Sequence, residues 1–206
     1  MRQPDAMIAI VDDDASIREG LSSLLRSAGW TVETFASAQD FLARTGDEMP
    51  SCLILDLQLP GLSGLDLQKR MAEAELDIPI VFLTGHGNIP ASVQAMKAGA
   101  IEFLTKPVDE EGLLRAIREA TERDRRIRQR QAEMSELQHR YDSLSGREQE
   151  VMQQVVSGLL NKQVAAELNI TESTVKVHRG QVMRKMQADS LADLVRMADK
   201  LGVQHS

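Results

Sequence analysis

Four short apolar runs in the first half of the sequence end in, or are followed by, polar side chains. These side chains can bind metal ions or take part in phosphoryl transfer. They are Asp12, Asp13, Asp14, Asp56, Thr84 and Lys106. The three adjacent aspartates repel one another, and each would tend to bind a proton unless a positive group lay among them. The cluster therefore predicts a site that holds a cation.

Five short apolar runs alternate with five amphipathic stretches over the first 120 residues. The runs occupy residues 7–11, 31–35, 51–55, 80–84 and 101–105. The helical patterns occupy 15–28, 37–45, 64–75, 89–98 and 109–120. This alternation predicts an α/β domain with a doubly wound, five-stranded parallel sheet and helices on both faces. Ligands of such sheets bind at the carboxyl ends of the strands, which is where the polar side chains fall.

The aspartate cluster has several interpretations. A calcium-binding loop that starts at Asp12 needs glycine and glutamate at two later positions, where the sequence has Ile17 and Ser23. Asp14 or Ser16 can cap the helix that follows, where a carboxylate also favours the helix dipole. Capping accounts for one member of the cluster and leaves the other aspartates unexplained.

An enzyme is a further interpretation. The motif Asp-x-Asp-x-Ser after a strand resembles the nucleophile motif of haloacid-dehalogenase-type phosphatases, and Thr84 and Lys106 fit the later motifs of those enzymes. Such a phosphatase needs another strand that ends in acidic residues after the lysine, but residues 109–111 open a helix instead. It also gives no role to Asp56.

A metal-assisted phosphoryl acceptor would use all four strand ends. Asp12, Asp13 and Asp56 would converge on one hard divalent cation, and Mg²⁺ prefers such oxygen ligands. Asp56 could then act as the nucleophile toward a phosphoryl group. The metal and Lys106 would neutralise charge on the transferred oxygens, and the Thr84 hydroxyl could reach toward the acyl phosphate.

Four segments resemble the receiver domain of bacterial two-component response regulators, over about residues 6–122. They are IAIVDDDASIREGLSSLL, CLILDLQLPGLSGLDL, IPIVFLTGHG and AMKAGAIEFLTKPV. The resemblance implies that Asp56 is the phosphoacceptor and that Asp12 and Asp13 are the acidic metal ligands. It also implies that the backbone carbonyl of Gln58 is a further metal ligand.

The same resemblance implies a conformational switch. Thr84 and Phe103 match the switch hydroxyl and the switch aromatic of the family. Lys106 matches the lysine that contacts phosphate, and it precedes a proline, Pro107, whose peptide bond is expected to be cis. The sequence departs from the family by apolar exchanges at Leu59, Leu62 and Val108.

The second half of the sequence is predicted to be helical. Residues 113–144 contain no glycine or proline, and their charged part is interpreted as a helical linker that packs near its ends. Residues 145–148 have capping-box spacing, which predicts the start of a helix. Helical patterns then cover 146–158, 161–168, 172–186 and 190–201, and a turn at 169–171 makes a helix-turn-helix.

The second helix of this pair has two distinct faces at 100° per residue. One face is an apolar stripe of Val175, Val182, Met183 and Met186. The opposite face carries Ser173, Lys176, Val177, Gly180 and Arg184. A cationic face with small residues on the second helix of a helix-turn-helix suits the major groove of DNA. Lys185 and Arg196 are interpreted as ordinary solvated residues.

Residues 144–186 closely resemble the LuxR-type DNA-binding domain. The resemblance places these residues at the entrance of the first helix or on and beside the recognition surface: Asn161, Lys162, Thr174, Lys176, Val177, His178, Arg179 and Arg184. Arg179 falls near the buried stripe, so it would reach phosphate only past its neighbours. Gly180 costs roughly 1 kcal/mol relative to alanine in a helix interior, so it either clears space for DNA or contributes no specificity.

Composition and charge limit the setting of the protein. The formal net charge of the chain is −7. The first 120 residues carry 10 basic and 19 acidic side chains, whereas the remainder carries 14 basic and 12 acidic ones. Only the second half is therefore suited to contact phosphates. The single cysteine excludes a disulfide within the chain. The start of the sequence does not resemble a secretory signal, and no apolar run approaches the roughly 20 residues that span a bilayer. A cytoplasmic protein is expected.

Together the resemblances identify the chain as a member of the FixJ/NarL-type response regulators. The expected domains are a receiver at 1–121, a helical linker at 122–142 and a DNA-binding domain at 143–206. The resemblance implies phosphorylation by a sensor histidine kinase with Mg²⁺, or with Mn²⁺ or Ca²⁺ in vitro. It also implies a homodimer through the fourth helix, fifth strand and fifth helix of the receiver. Promoter DNA and RNA polymerase are the other expected partners, and no dedicated enzyme activity is expected.

Overall fold

The chain forms two compact units, residues 1–127 and 128–206. The structure is a computed structural model, and it describes residues 6–45, 48–85 and 89–203. The predicted domain boundaries at 121, 142 and 143 stay predictions, since the division at 127 lies inside the predicted linker.

The first unit is built on a parallel sheet. Its strands are β1 (Met7–Val11), β2 (Thr31–Phe35), β3 (Cys52–Asp56), β4 (Ile80–Thr84) and β5 (Glu102–Thr105). Its helices are α1 (Ala15–Ser27), α2 (Ala38–Leu42), α3 (Gly64–Glu73), α4 (Ile89–Lys97) and α5 (Glu110–Asp142). The strand order is β2-β1-β3-β4-β5, and all four pairs are parallel. The predicted five-stranded α/β fold is confirmed.

Two apolar cores cover the two faces of the sheet, because successive side chains of a strand point to opposite faces. On β3, Leu53 and Leu55 pack into one core, and Cys52 and Ile54 pack into the other. All four side chains are fully buried. A central strand that is buried on both faces must be apolar throughout, which is why it reads as a continuous apolar run.

The strand boundaries differ slightly from the predicted ones. β3 is shifted by one residue, so that Asp56 is its last residue and pairs with Leu83 of β4. β5 begins at Glu102, and α2 is shorter than its predicted pattern. Asp56 therefore belongs to the sheet itself, and strand pairing holds its backbone.

The predicted fifth helix and the predicted linker form one helix, α5, of 33 residues. Towards its start, Leu113, Ile117 and Ala120 are buried in the core of the first unit. Towards its end, Leu137 is buried in the core of the second unit. Residues 128–136 are all exposed. This burial agrees with a charged helix that packs near its ends.

In the part of the second unit that the structure describes, the end of α5 is followed by four further helices. They are α6 (Gly146–Val156), α7 (Asn161–Glu167), α8 (Glu172–Met186) and α9 (Leu191–Leu201). The predicted capping box is present, since Ser145 accepts the Glu148 amide and the Glu148 carboxylate accepts the Ser145 amide. Asn169 turns the chain between α7 and α8 with φ of 52°, a conformation that asparagine tolerates.

Candidate functional site

The carboxyl ends of β1, β3 and β5 bring three charged side chains into contact. Asp12 follows β1, Asp56 ends β3, and Lys106 follows β5. The Lys106 ammonium donates to Asp12 Oδ2 over 2.6 Å and to Asp56 Oδ2 over 2.5 Å. β1 and β3 are neighbours in the sheet, so their terminal carboxylates lie side by side, although 44 residues separate them along the chain.

Asp13 completes an acidic cluster with these carboxylates. One oxygen from each of Asp12, Asp13 and Asp56 lies within 4.8 Å of the others. Asp12 and Asp56 are 1% and 6% exposed, whereas Asp13 is exposed to solvent. Three carboxylates at this spacing are a hard oxygen donor set, so the cluster fits a divalent cation such as Mg²⁺.

Backbone amides fix the orientation of the two buried carboxylates. The amide of Asp14 donates to Asp12 Oδ1 over 2.9 Å, and the amide of Gln58 donates to Asp56 Oδ1 over 2.9 Å. The second oxygen of each carboxylate is turned toward Lys106. Asp14 itself caps α1 by accepting the amides of residues 16 and 17, as predicted for one member of the cluster.

Burial and pairing act in opposite directions on the titration of this site. Burial raises the pKa of the Asp12 carboxyl above its ordinary value, and the hydrogen bond from Lys106 only partly offsets that effect. For Lys106, burial alone would lower the pKa of the ammonium. The hydrogen bonds to Asp12 and Asp56 outweigh burial and raise it, so the ammonium keeps its proton.

The residues implied as a switch lie on the two strands next to this cluster. Thr84 ends β4 and is fully buried, opposite Thr105 of β5 in the strand register. Phe103 on β5 is partly buried, and its ring lies 6.2 Å from that of Phe82 at an interplanar angle of 35°. The peptide bond between Lys106 and Pro107 is cis, as the resemblance implies.

Two residues that support the cluster escaped the sequence analysis. Arg18 of α1 donates from Nη1 to the backbone carbonyl of Asp12 over 2.6 Å. α3 begins at Gly64, where an added Cβ would lie 2.4 Å from the carbonyl oxygen of Asp56. The sequence offers one signal for this close approach, which is that glycine directly follows the helix cap Ser63. The first position of a helix normally accepts many side chains, so glycine is not required there by the helix itself.

The exposed face of α8 agrees with the predicted division of that helix. Val175, Val182 and Met186 are buried, and Met183 packs against them. On the other face Lys176, Gly180 and Arg184 are exposed, and Val177 is 62% exposed. The outward face is therefore cationic, with one apolar side chain and one position that has no side chain.

Other residues proposed to contact DNA are held within the second unit. Arg179 is half-buried and donates to Asn161 Oδ1 of α7 over 3.1 Å, so the two helices are joined. The Thr174 hydroxyl lies 2.8 Å from the hydroxyl of the cap residue Thr171. His178 is half-buried. The exposed residue of this group on α7 is Lys162.

The interpretation of Lys185 as an ordinary solvated residue is wrong. Its ammonium donates to Glu148 Oε2 of α6 over 2.6 Å and to the carbonyl of Ser143 over 3.1 Å. This contact joins residues 37 apart in sequence, so no local pattern announced it. Arg196 is mostly exposed and pairs with Asp193 within its own helix, in agreement with a solvated position.

Two family models match this chain. The response regulator receiver domain matches residues 8–118, and the luxR family of bacterial regulatory proteins matches residues 142–198. Nodulation protein W of Bradyrhizobium diazoefficiens is 52% identical over 198 residues, which cover 96% of this chain and 87% of that protein. The chain belongs to the response regulators.

Solved structures are similar to this regulator over nearly its whole length. The structure of the response regulator StyR matches with a TM-score of 0.86 and 49% identity, covering 95% of the regulator and 98% of that chain. Full-length FixJ from B. japonicum matches with a TM-score of 0.59 and 40% identity, covering 99% and 100%. The predicted family and fold are thus confirmed.

The regulator combines a receiver with a LuxR-type DNA-binding domain, which is the composition of a transcription regulator controlled by phosphorylation. A receiver implies a sensor kinase as partner, and a LuxR-type domain implies DNA. Among the residues that the structure describes, no helix combines the length and the apolar character needed to cross a membrane.

Proposed function

We propose that this regulator accepts a phosphoryl group on Asp56 from a sensor histidine kinase and then binds promoter DNA as a dimer. The observation that carries the proposal is the convergence of three carboxylates and one ammonium at the carboxyl ends of β1, β3 and β5. The phosphatase interpretation leaves Asp56 without a role, whereas here it is one of the clustered carboxylates and accepts a hydrogen bond from Lys106. We infer that the protein acts in the cytoplasm.

The donor set indicates how the chemistry is divided. Asp12, Asp13, Asp56 and the carbonyl of Gln58 would hold Mg²⁺, which supplies charge neutralisation for the transferred oxygens. A carboxylate oxygen of Asp56 attacks the phosphorus of a phosphohistidine, and the new O–P bond forms as the N–P bond breaks. The histidine leaves the phosphorus with its electron pair. Lys106 then exchanges its carboxylate partners for oxygens of the phosphoryl group.

The consequence of phosphorylation is proposed to pass through Thr84 and Phe103. The Thr84 hydroxyl would approach the phosphoryl group, which frees space for the Phe103 ring to turn inward. This change would alter the face formed by α4, β5 and α5. On the exposed side of α4 the apolar side chains of Ile89, Val93 and Met96 are 75%, 48% and 44% exposed. Exposed apolar residues grouped in this way favour a contact with a second copy.

The second unit is proposed to bind the major groove through α8. Lys176 and Arg184 on its outward face, with Lys162 at the start of α7, supply the positive charge that phosphates attract. Val177 offers an apolar contact to a base edge. Arg179 and Asn161 hold α7 and α8 together, and a dimer would place two such units on paired half-sites. RNA polymerase is the proposed partner at the promoter.

Labelling with a small acyl phosphate and Mg²⁺ tests the phosphoacceptor. Asp56→Asn should lose the acid-stable, base-labile label, whereas Asp40→Asn, which alters an exposed carboxylate on α2, should keep it. Full labelling of Asp56→Asn would overturn the assignment. A phosphatase would behave differently, since Asp12→Asn would then abolish both the label and the turnover of simple phosphate esters.

The salt dependence of binding to duplex DNA tests the second half of the proposal. Lys176→Ala should weaken binding and reduce the slope of log K against log salt by about 1, because one phosphate-facing cation is lost. Lys200→Ala on α9 removes an exposed lysine from another helix and should change neither quantity. Equal effects of the two variants, or binding that ignores salt, would contradict a DNA interface on α8.

A further inference from the structure

Gly180 occupies the centre of the outward face of α8. Lys176 and Val177 lie one turn before it and Arg184 lies one turn after it, so the exposed side chains of this face surround a position that has none. Two of the three neighbours are cations and the third is an exposed apolar residue. The gap lies in the middle of a helix of 15 residues, not at its end.

Among the residues that the structure describes, none requires glycine at this position. An added Cβ would meet no heavy atom within 4 Å, and the backbone there is not in the left-handed region. This differs from Gly64, whose Cβ would meet the backbone of Asp56, and from Gly158, which has φ of 88°. Glycine also destabilises a helix interior relative to alanine. Glycine at this position thus lowers helix stability without serving a contact among the described residues, as Gly20 also does, and what distinguishes Gly180 is its place among the exposed cations of the outward face.

We propose that Gly180 lets the backbone of α8 approach the floor of the DNA major groove, and so determines specificity. This inference rests on the proposed DNA-binding function. Gly180 lies between the exposed side chains of the outward face, so a side chain there would limit how closely this face approaches the bases. Without that side chain, Val177 reaches the base edges while Lys176 and Arg184 stay near phosphate.

The depth to which α8 enters the groove should affect specific and non-specific affinity differently. Non-specific binding depends on phosphate charge and needs no close approach to the bases. Base contacts require the helix backbone to enter the groove. A side chain at position 180 should therefore lower affinity for a preferred sequence more than affinity for an unrelated one.

The test uses the full-length regulator with a small acyl phosphate and Mg²⁺. A duplex is first selected by the wild-type protein from a random-sequence pool, and its affinity is compared with that of an unrelated duplex. Gly180→Leu should bind the selected duplex roughly tenfold or more weakly than wild type, because the loss of base contacts lowers the binding free energy. The affinity of Gly180→Ala should lie between those of Gly180→Leu and wild type. Both variants should melt at a higher temperature than wild type.

Gly20→Ala is the matched control. Gly20 is also exposed within a helix, α1, and an added Cβ there meets nothing within 4 Å. This variant should also raise the melting temperature, but it should leave both affinities unchanged. The ratio of the two affinities is the decisive measurement, because a purely structural effect would not alter it.

The outcomes separate the inference from the function it rests on. If Gly180→Leu melts higher and binds the selected duplex as wild type does, position 180 contributes no specificity and the inference is wrong. An equal loss on both duplexes also overturns it, since seating against bases would then play no part. If the wild-type protein enriches no duplex from the pool, the proposed DNA-binding function fails, and the inference fails with it.

Discussion

Lys106 compensates negative charge at the acidic cluster. Its ammonium touches Asp12 and Asp56 at once, and its side chain is only 17% exposed. Two buried carboxylates side by side repel one another, and the lysine compensates both. The removal of one partner from such a buried group is costly because the remaining charges are left unpaired.

Lys106→Met should therefore destabilise the first unit by about 3 kcal/mol, and added Mg²⁺ should restore part of that loss. Urea denaturation followed by the fluorescence of Trp30, which is buried in the first unit, measures this effect. Lys69→Met is the control, because the Lys69 side chain is 76% exposed and its ammonium lies 3.9 Å from Glu73 Oε1. Equal losses in the two variants would mean that Lys106 does not compensate the cluster.

Gly64 is a residue whose small size protects the position of Asp56. A Cβ at 2.4 Å from a backbone oxygen cannot be accommodated by a side-chain rotation, so the strand end or α3 must shift. Gly64→Ala should cost about 1–3 kcal/mol in unfolding free energy, as overpacking does, and should slow labelling of Asp56.

Gly20→Ala is also a glycine-to-alanine substitution, but the opposite result is expected for it. With no atom near its Cβ, it should stabilise the first unit by about 0.5–1 kcal/mol and leave labelling unchanged. Labelling rates and urea midpoints of the two variants decide the point. A stabilised, normally labelled Gly64→Ala variant would refute the proposed steric limit.

At the scale of elements, Glu148 links three segments of the second unit. It belongs to the capping box of α6, accepts the Ser145 amide, and forms an ion pair with Lys185 in the last turn of α8. Arg140 of α5 donates to the carbonyl of Met186 nearby. The end of α8 is thus held against the segment that precedes α6.

The pH dependence of the second unit should report this ion pair. The hydrogen bond from Lys185 lowers the pKa of Glu148 below its ordinary value of 4.5, which outweighs the effect of burial. Because the folded state binds the proton less readily, the stabilisation is complete above pH 4.5 and is lost as the pH falls through the lowered pKa. Hydrogen exchange of the backbone amides of α6 and α8 measures this loss of stabilisation.

Glu148→Gln should cost about 1–3 kcal/mol near neutral pH and should show a smaller change on acidification than wild type. Glu150→Gln on the same helix is the control, since Glu150 is 52% exposed and pairs with Arg147 near the surface. Its exchange should follow that of the wild-type protein. An acid response of Glu148→Gln equal to that of wild type would exclude this pair as its source.

At the scale of the whole molecule, phosphorylation should control association through the outer face of α4. Val93→Glu places a charge in the centre of that apolar face, which should raise the dimer dissociation constant by about tenfold or more. Sedimentation velocity with a small acyl phosphate and Mg²⁺ measures the association. Ser23→Glu, on the exposed side of α1, should dimerise as wild type does. An intact dimer of phosphorylated Val93→Glu would place the interface elsewhere.

The alternation of apolar runs with amphipathic stretches was sufficient to predict the sheet and its helices. Local spacing also predicted that Asp14 or Ser16 caps α1, where Asp14 does so, that Ser145 and Glu148 form a capping box, and that Val175 and Val182 face inward. These features depend on residues within one or two turns of each other. Local spacing therefore carries the information, and the family resemblance added roles that spacing alone leaves open.

Contacts between distant residues were decided by the tertiary structure. Lys106 lies against Asp12, 94 positions away, and Lys185 lies against Glu148, 37 positions away. The lack of space at Gly64 likewise depends on how α3 meets the end of β3. The strand pattern predicted that Asp12, Asp56 and Lys106 share one site, but the distances between these groups are set by packing, and no local pattern encodes them. The sequence determined which groups could do chemistry, and the fold determined which of them meet.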